Sequence, residues 1–95
     1  MSLKDRLADF AGALTSATMA PDEYAVPEYQ NYESNKADLT DLWSQIRPQI
    51  KRDVQQANLI DDQLQEMFSF FDRGEKNKGR KLAWAIYNSD VEKLR

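Results

Sequence analysis

The stretch LTDLWSQIRPQIKRDVQQA, residues 39–57, carries the strongest helical pattern of this 95-residue chain. Its apolar side chains recur at spacings of three and four, the period of one helix face: Leu39, Leu42, Trp43, Ile46, Ile50, Val54 and Ala57. Pro48 interrupts the stretch, because proline donates no backbone hydrogen bond and its ring crowds the preceding turn. Either one helix kinks at Pro48 or a second helix starts there. The stripe keeps its phase across Pro48, so we predict one kinked helix over residues 34–57.

The N-terminal segment predicts a second amphipathic helix, over residues 2–18. Its apolar stripe consists of Leu3, Leu7, Phe10, Ala11 and Leu14. Ser2 stands at the N-cap position, and Asp5 follows three residues later, where an acidic side chain helps to satisfy free N–H groups. We therefore expect the helix to begin directly after Ser2.

The C-terminal half predicts two further helices, over residues 61–73 and 79–94. Asp61 or Asp62 is the expected cap of the first, and Gly74 is its expected C-terminal stop. The predicted buried faces are Leu64, Met67, Phe68 and Phe71 in the first helix, and Leu82, Ala83, Ile86, Tyr87, Val91 and Leu94 in the second. Asn88-Ser89-Asp90 offers a possible break, since Ser89 and Glu92 have capping-box spacing. We predict a single helix there.

Residues 19–33 form a predicted connector, here called the acidic loop. They hold two of the three prolines, four acidic side chains and no basic one, and they show no helical period. Connections in small helical domains usually run to about eight residues, and longer ones tend to carry function.

The fold class predicted from these patterns is all-α, a small irregular bundle of about four helices with one long acidic connector that contains tyrosine and proline. The length favours a single domain over residues 1–95. No apolar run approaches the length of a membrane span, and no signal-peptide pattern opens the sequence, so we expect a cytoplasmic protein without a membrane partner.

The chain contains no histidine and no cysteine. The commonest acid–base group, the thiol nucleophile and the usual zinc ligands are thereby excluded. The carboxylate pairs Asp38/Asp41 and Asp61/Asp62, with Glu66 one turn on, are explained by helix capping and the helix dipole. We therefore predict no enzymatic activity, no cofactor and no metal.

A segment around residues 67–79 resembles the end of the first helix and the start of the loop of an EF-hand. A calcium loop that started at Asp72 would need oxygen ligands at its third and fifth positions and a glutamate at its twelfth. The sequence places Gly74, Lys76 and Ala83 there. Calcium binding is therefore not expected.

Charge is distributed unevenly, with −5 over residues 1–45 and +2 over residues 46–95, where ten basic side chains face eight acidic ones. The acidic loop offers six candidate contacts for a protein partner: Asp22, Glu23, Tyr24, Glu28, Tyr29 and Tyr32. Residues 73–81, here called the basic turn, offer five for phosphates or an acidic partner: Arg73, Lys76, Lys78, Arg80 and Lys81. Each set also has an ordinary explanation, as a connector that covers the core and as a solvated turn.

Two aromatic side chains fall at the edges of predicted buried faces, namely Trp43 and Phe70. One helix face takes three or four residues in seven, so either ring is a candidate for exposure at an interface. Trp84 and Tyr87 follow the basic turn; Trp84 would be a core residue or, if exposed, could stack on a base.

The function predicted from the sequence is a non-enzymatic protein–protein interaction module, such as an adaptor, an inhibitor or an accessory subunit of a larger assembly. The alternative is a nucleic-acid-associated protein that contacts phosphates through the basic turn, although the pI near 4.9 speaks against it. A homodimer formed by exposed aromatic side chains is a third hypothesis.

Overall fold

The computed structural model describes residues 2–20, 22–23 and 31–95. Its helices are α1 (Leu3–Ala17), α2 (Tyr32–Ile46), α3 (Val54–Asp72) and α4 (Lys76–Tyr87), with short 3-10 turns at Arg47–Gln49 and Val91–Lys93. No strand occurs within the described ranges, so the all-α prediction with four helices is confirmed. Ser2 caps α1 as predicted, because its hydroxyl accepts the N–H of Asp5 at 3.2 Å.

The helices enclose one continuous apolar core. Helix α1 packs against α2, α4 and the turn Val91–Lys93, whereas α3 and α4 form a helical hairpin around Gly74. The largest side chains with almost no exposed surface come from all four helices and from that last turn: Leu7, Phe10, Leu14, Leu39, Ile46, Ile60, Met67, Ile86 and Val91. Burial of such side chains is the main favourable contribution to the fold.

The predicted kinked helix over residues 34–57 is wrong. Helix α2 begins earlier, at Tyr32, and it ends at Ile46; the chain then makes the 3-10 turn around Pro48, and Ile50 is extended. Val54, a member of the predicted stripe, is 40% exposed. Ile50 and Ala57, the other stripe residues beyond Pro48, are buried, yet Pro48 separates two helices because its missing N–H removes a bond to the preceding turn.

The predicted start of the third helix is also wrong. Helix α3 begins at Val54, so Asp61 and Asp62 lie inside it and do not cap it. The N–H groups of Lys51, Arg52 and Asp53, just before α3, all donate to the backbone oxygen of Arg95, at 2.8–3.0 Å. This oxygen, far along the chain, satisfies N–H groups that the predicted helix over residues 34–57 would have bonded within itself.

The predicted single helix over residues 79–94 is wrong as well. Helix α4 spans Lys76–Tyr87, and the chain then turns through Asp90, whose φ is +58°. That left-handed conformation is incompatible with a continuing helix, and aspartate tolerates it better than most residues. The predicted stop at Gly74 is confirmed, since its φ of +82° is the conformation that favours glycine.

Candidate functional site

The acidic loop is only partly included in the described residues. Tyr24, Glu28 and Tyr29 lie outside them, so the predicted contacts at these positions stay predictions. Tyr32 is the first residue of α2 and half-buried. Its ring meets Phe71 edge-on with centroids 5.5 Å apart, and its hydroxyl donates to Asp72 at 2.8 Å. Tyr32 therefore links α2 to the end of α3 through a ring contact and a hydrogen bond.

Asp22 and Glu23, two of the three described acidic residues of the acidic loop, lie against the basic turn, whereas Glu33 lies in the first turn of α2. The guanidinium of Arg80 contacts Asp22 at 3.1 Å and Glu23 at 3.3 Å, and Lys76 Nζ lies 3.4 Å from Asp22. The Arg80 side chain is only 17% exposed and also donates to the backbone oxygens of Ala20, at 2.6 Å, and Met19, at 3.4 Å. Two surfaces that the sequence presents as separate candidate sites thus meet within one chain.

Two further cations of the basic turn, Arg73 and Lys78, are paired at Glu75. Arg73 Nε and Lys78 Nζ each lie 3.0 Å from this carboxylate. The hydrogen bond from Lys78, with a smaller contribution from Arg73, holds the pKa of Glu75 below its ordinary value. Among the described residues only Lys81 of the five predicted cations lacks an ion-pair partner, and its side chain is exposed.

The two aromatic candidates differ in their surroundings. Trp43 is buried, with 7% of its surface exposed; it stacks on Phe10 at 5.2 Å, and its indole N–H donates to Asp61. Its proposed exposure is therefore wrong, because the core of α1 and α2 encloses a ring that stands at the edge of the predicted stripe. Phe70 is half-buried, and Arg73 and Lys78 lie over its ring at 5.1 and 5.7 Å.

The exposed aromatic side chains of the described chain are on α4. Trp84 is 50% exposed and Tyr87 40% exposed, and their rings meet edge-on at 5.9 Å. Only Gly79, Ala83 and Ile86 are buried in α4. Trp84 follows Ala83 and Tyr87 follows Ile86, so each is rotated about 100° from the buried face. The predicted burial of Tyr87 on one face with Ala83 and Ile86 is therefore wrong.

Charged side chains border these rings on two sides: Arg80 stands four positions before Trp84, and Asp90, Glu92 and Lys93 line a surface cavity together with Tyr87. Asn77, Lys81, Trp84 and Asn88 recur at helical spacing, and all are exposed. Lys81 is the charged member of this row, and unlike Arg80 it makes no ion pair with a described residue. Val54 and Leu59 are also exposed, but they lie on α3 as single apolar side chains of the kind found on any protein surface.

The acidic side chains of the described residues are dispersed with respect to metal binding. Searching them finds no group of three or more His, Cys, Asp or Glu side chains positioned to hold a metal ion. Asp61 accepts from Trp43 and, at 3.0 Å, from Arg47, which gives it a packing role between α2 and α3. None of the described helices combines the length and apolar character that crossing a bilayer requires.

Comparison with protein-family models, curated proteins and solved structures finds no match for this chain.

Proposed function

We propose that this protein is a non-enzymatic interaction module, an adaptor, inhibitor or accessory subunit, that binds a protein partner through the α4 face of Trp84 and Tyr87. The observation that carries the proposal is the half-exposed indole of Trp84 on a well-formed helix. Tryptophan and tyrosine dominate binding energy at protein interfaces because they bury large areas at low entropic cost. A cytoplasmic location is part of this proposal.

The pairing of the two rings also supports the proposal. Their edge-on contact at 5.9 Å restricts both side chains before any partner arrives. Restricting side chains in advance lowers the entropy lost on binding. Trp84 and Tyr87 therefore offer a partner an ordered apolar contact at little further entropic cost.

The alternative, phosphate contact through the basic turn, has weaker support. Arg73, Lys76, Lys78 and Arg80 are paired with carboxylates of this chain, and these carboxylates would repel a phosphate backbone. Nucleic-acid affinity depends on several cations that are free to replace condensed counterions. One observation favours this alternative, namely that Lys81 is unpaired among the described residues and shares a face with Trp84.

The test compares Trp84→Ser with Leu59→Ser in affinity capture from native lysate. Leu59 is a matched control, because it is 55% exposed and lies on a different helix. We expect one protein to be captured by the unchanged chain and by Leu59→Ser, and to bind Trp84→Ser about 30-fold more weakly, the loss typical of a hot-spot residue. Circular dichroism confirms that both variants fold.

Three results would contradict the proposal. One is a partner that Trp84→Ser retains. Another is captured material that nuclease releases and that dissociates steeply as salt rises, which would favour the nucleic-acid alternative. The third is capture of a second copy of this chain alone, which light scattering at several concentrations would detect and which would favour the homodimer.

A further inference from the structure

All the charged side chains of helix α4 are positive. It carries Lys76, Lys78, Arg80 and Lys81 and no acidic side chain. Two of these cations form ion pairs with the acidic loop of this chain. Lys76 and Arg80 contact the carboxylates of Asp22 and Glu23 at 3.1–3.4 Å. The surface of α4 therefore binds carboxylates within this chain, through cations on one part of its circumference.

Lys81 and Trp84 continue this surface onto the outward face of the helix. They stand three positions apart, so their side chains are neighbours on the helix surface. Both are exposed, and Lys81 makes no ion pair with a described residue. One available cation thus lies about a turn from one available aromatic ring, with uncharged Asn77 and Asn88 on either side.

We propose that this face binds a short segment of a partner protein that combines an acidic side chain with an apolar one. The carboxylate pairs with Lys81 while the apolar side chain packs on Trp84 and the edge of Tyr87. This inference rests on the proposed function for the use of Trp84, and it adds the chemistry of the partner. An acidic segment complements α4 in charge, because the charged side chains of this helix are all basic.

The distribution of charge favours a protein segment with few carboxylates over a nucleic acid. A phosphate backbone presents a charge about every 3.4 Å along each strand and needs a row of available cations. The neighbouring cations of α4 are occupied by Asp22, Glu23 and Glu75. A single available lysine beside a single ring suits one carboxylate and one apolar group.

The experiment titrates the protein with a synthetic twelve-residue peptide in which glutamate, leucine and serine alternate, and follows the indole N–H signals by NMR. The chain has two tryptophans, and Trp84→Phe identifies which signal belongs to Trp84. We expect the indole N–H signal of Trp84 to change its chemical shift and that of buried Trp43 to remain unchanged. The same peptide with glutamine in place of glutamate should bind at least about threefold more weakly, as loss of an exposed ion pair allows.

The matched variants are Lys81→Glu and Lys51→Glu, which reverse the charge of exposed lysines on different parts of the surface. We expect Lys81→Glu to weaken the peptide by about fivefold or more and Lys51→Glu to leave it within twofold, with both effects smaller in high salt. A twelve-nucleotide thymidine strand replaces the peptide in a parallel titration.

Two peptide results would overturn the inference: the Trp84 signal does not shift at millimolar peptide, or Lys81→Glu and Lys51→Glu weaken peptide binding equally. Tighter binding of the thymidine strand than of the peptide would also overturn it. So would shifts that depend only on protein concentration, because these report self-association. Failure here is distinguishable from failure of the proposed function. If a captured partner binds Lys81→Glu normally but fails to bind Trp84→Ser, the proposed interaction module is supported and the proposed acidic segment of the partner is refuted.

Discussion

Gly79 allows the backbone of α4 to lie against the ring of Phe71. A Cβ at this position would come within 2.7–2.8 Å of three ring carbons, whereas a Cβ at Gly12 in α1 would meet no atom within 4 Å. The Phe71 ring cannot move away cheaply, because it is 5% exposed and in edge contact with Tyr32. The two glycines therefore have different roles, although both lie inside helices.

We predict that Gly79→Ala lowers the free energy of unfolding by about 1–2 kcal/mol, because overpacking outweighs the gain of about 1 kcal/mol in helix propensity. Gly12→Ala, which makes the same chemical change in open space, should raise it by about 0.5–1 kcal/mol. Urea denaturation measures both. Equal stabilisation by the two substitutions would contradict the close approach at Phe71.

The tryptophans show how far residue-level reasoning reaches. Sequence analysis offered Trp43 as exposed because it stands beside Leu42 at the edge of a stripe, yet its indole bonds to Asp61 on α3. That partner could not be found while Asp61 was assigned to a cap. Trp84 was left open between the core and the surface, and its position directly after Ala83 decides the question only once the buried face of α4 is known.

One polar link between α2 and α3, at the end of α3, depends on the ionised form of Asp72. The hydrogen bond from Tyr32, followed by that from Lys36 at 3.2 Å, lowers the pKa of Asp72 below its ordinary value of 3.8. A carboxyl whose pKa is lower in the folded state than in the unfolded state contributes stability above its ordinary value. That contribution is lost as the pH falls through the lowered pKa.

We therefore predict that Asp72→Asn destabilises the protein at neutral pH and that the difference from the unchanged chain shrinks as the pH falls below 3.8. Asp62→Asn is the control, because Asp62 is an exposed aspartate of the same helix without an ion pair among the described residues. Thermal unfolding between neutral and acidic pH provides the measurement. A difference for Asp72→Asn that stays constant with pH would refute the assigned contacts.

At the scale of elements, the sequence was sufficient for the number and type of helices but not for two of the junctions. Short-range rules succeeded at Ser2 and Gly74, where the determining contact or conformation is local. They failed before α3, where the backbone N–H groups of residues 51–53 are satisfied by Arg95. They also failed at Asp90, because a positive φ at a residue other than glycine is rarely signalled by sequence.

Arg80 connects two parts of the molecule: α4 and the start of the acidic loop, directly after α1. Its guanidinium group donates hydrogen bonds to the backbone oxygens of Met19 and Ala20. The same group forms ion pairs with the carboxylates of Asp22 and Glu23. We predict that Arg80→Met, which keeps the apolar stem and removes the donors, releases residues 22–23 from α4. Lys81→Met is the matched control, since it removes an exposed cation that lacks such partners.

Cleavage by a glutamate-specific protease reports this release. Cleavage after Glu23 should become about tenfold faster in Arg80→Met, equivalent to about 1.4 kcal/mol of local stability, and should not change in Lys81→Met. Cleavage after Glu66, inside α3, reports global unfolding. If cleavage after Glu66 accelerates as much as cleavage after Glu23, Arg80 stabilises the whole fold and does not specifically hold the loop.

The meeting of the acidic loop with the basic turn could not be predicted from composition. Charge counting identified both segments, yet Asp22 and Arg80 are 58 positions apart, and only the packing of α1 beside α4 brings them together. The lesson is specific to such pairs. An unpaired charge in a sequence is a candidate site for an external partner only until the fold shows which charges pair with each other.

The first and last turns of the described chain border one surface cavity, lined by Leu3, Lys4, Leu94 and Arg95 among others. The two ends therefore lie near each other, and a short linker could join them without disturbing α1 or the turn Val91–Lys93. A circularly permuted chain, closed at this cavity and opened within the acidic loop, would keep every helix–helix contact of the core. If the chain is opened directly after Glu23, that new end falls beside Arg80, and a reporter or binding domain fused there would be attached next to the α4 face.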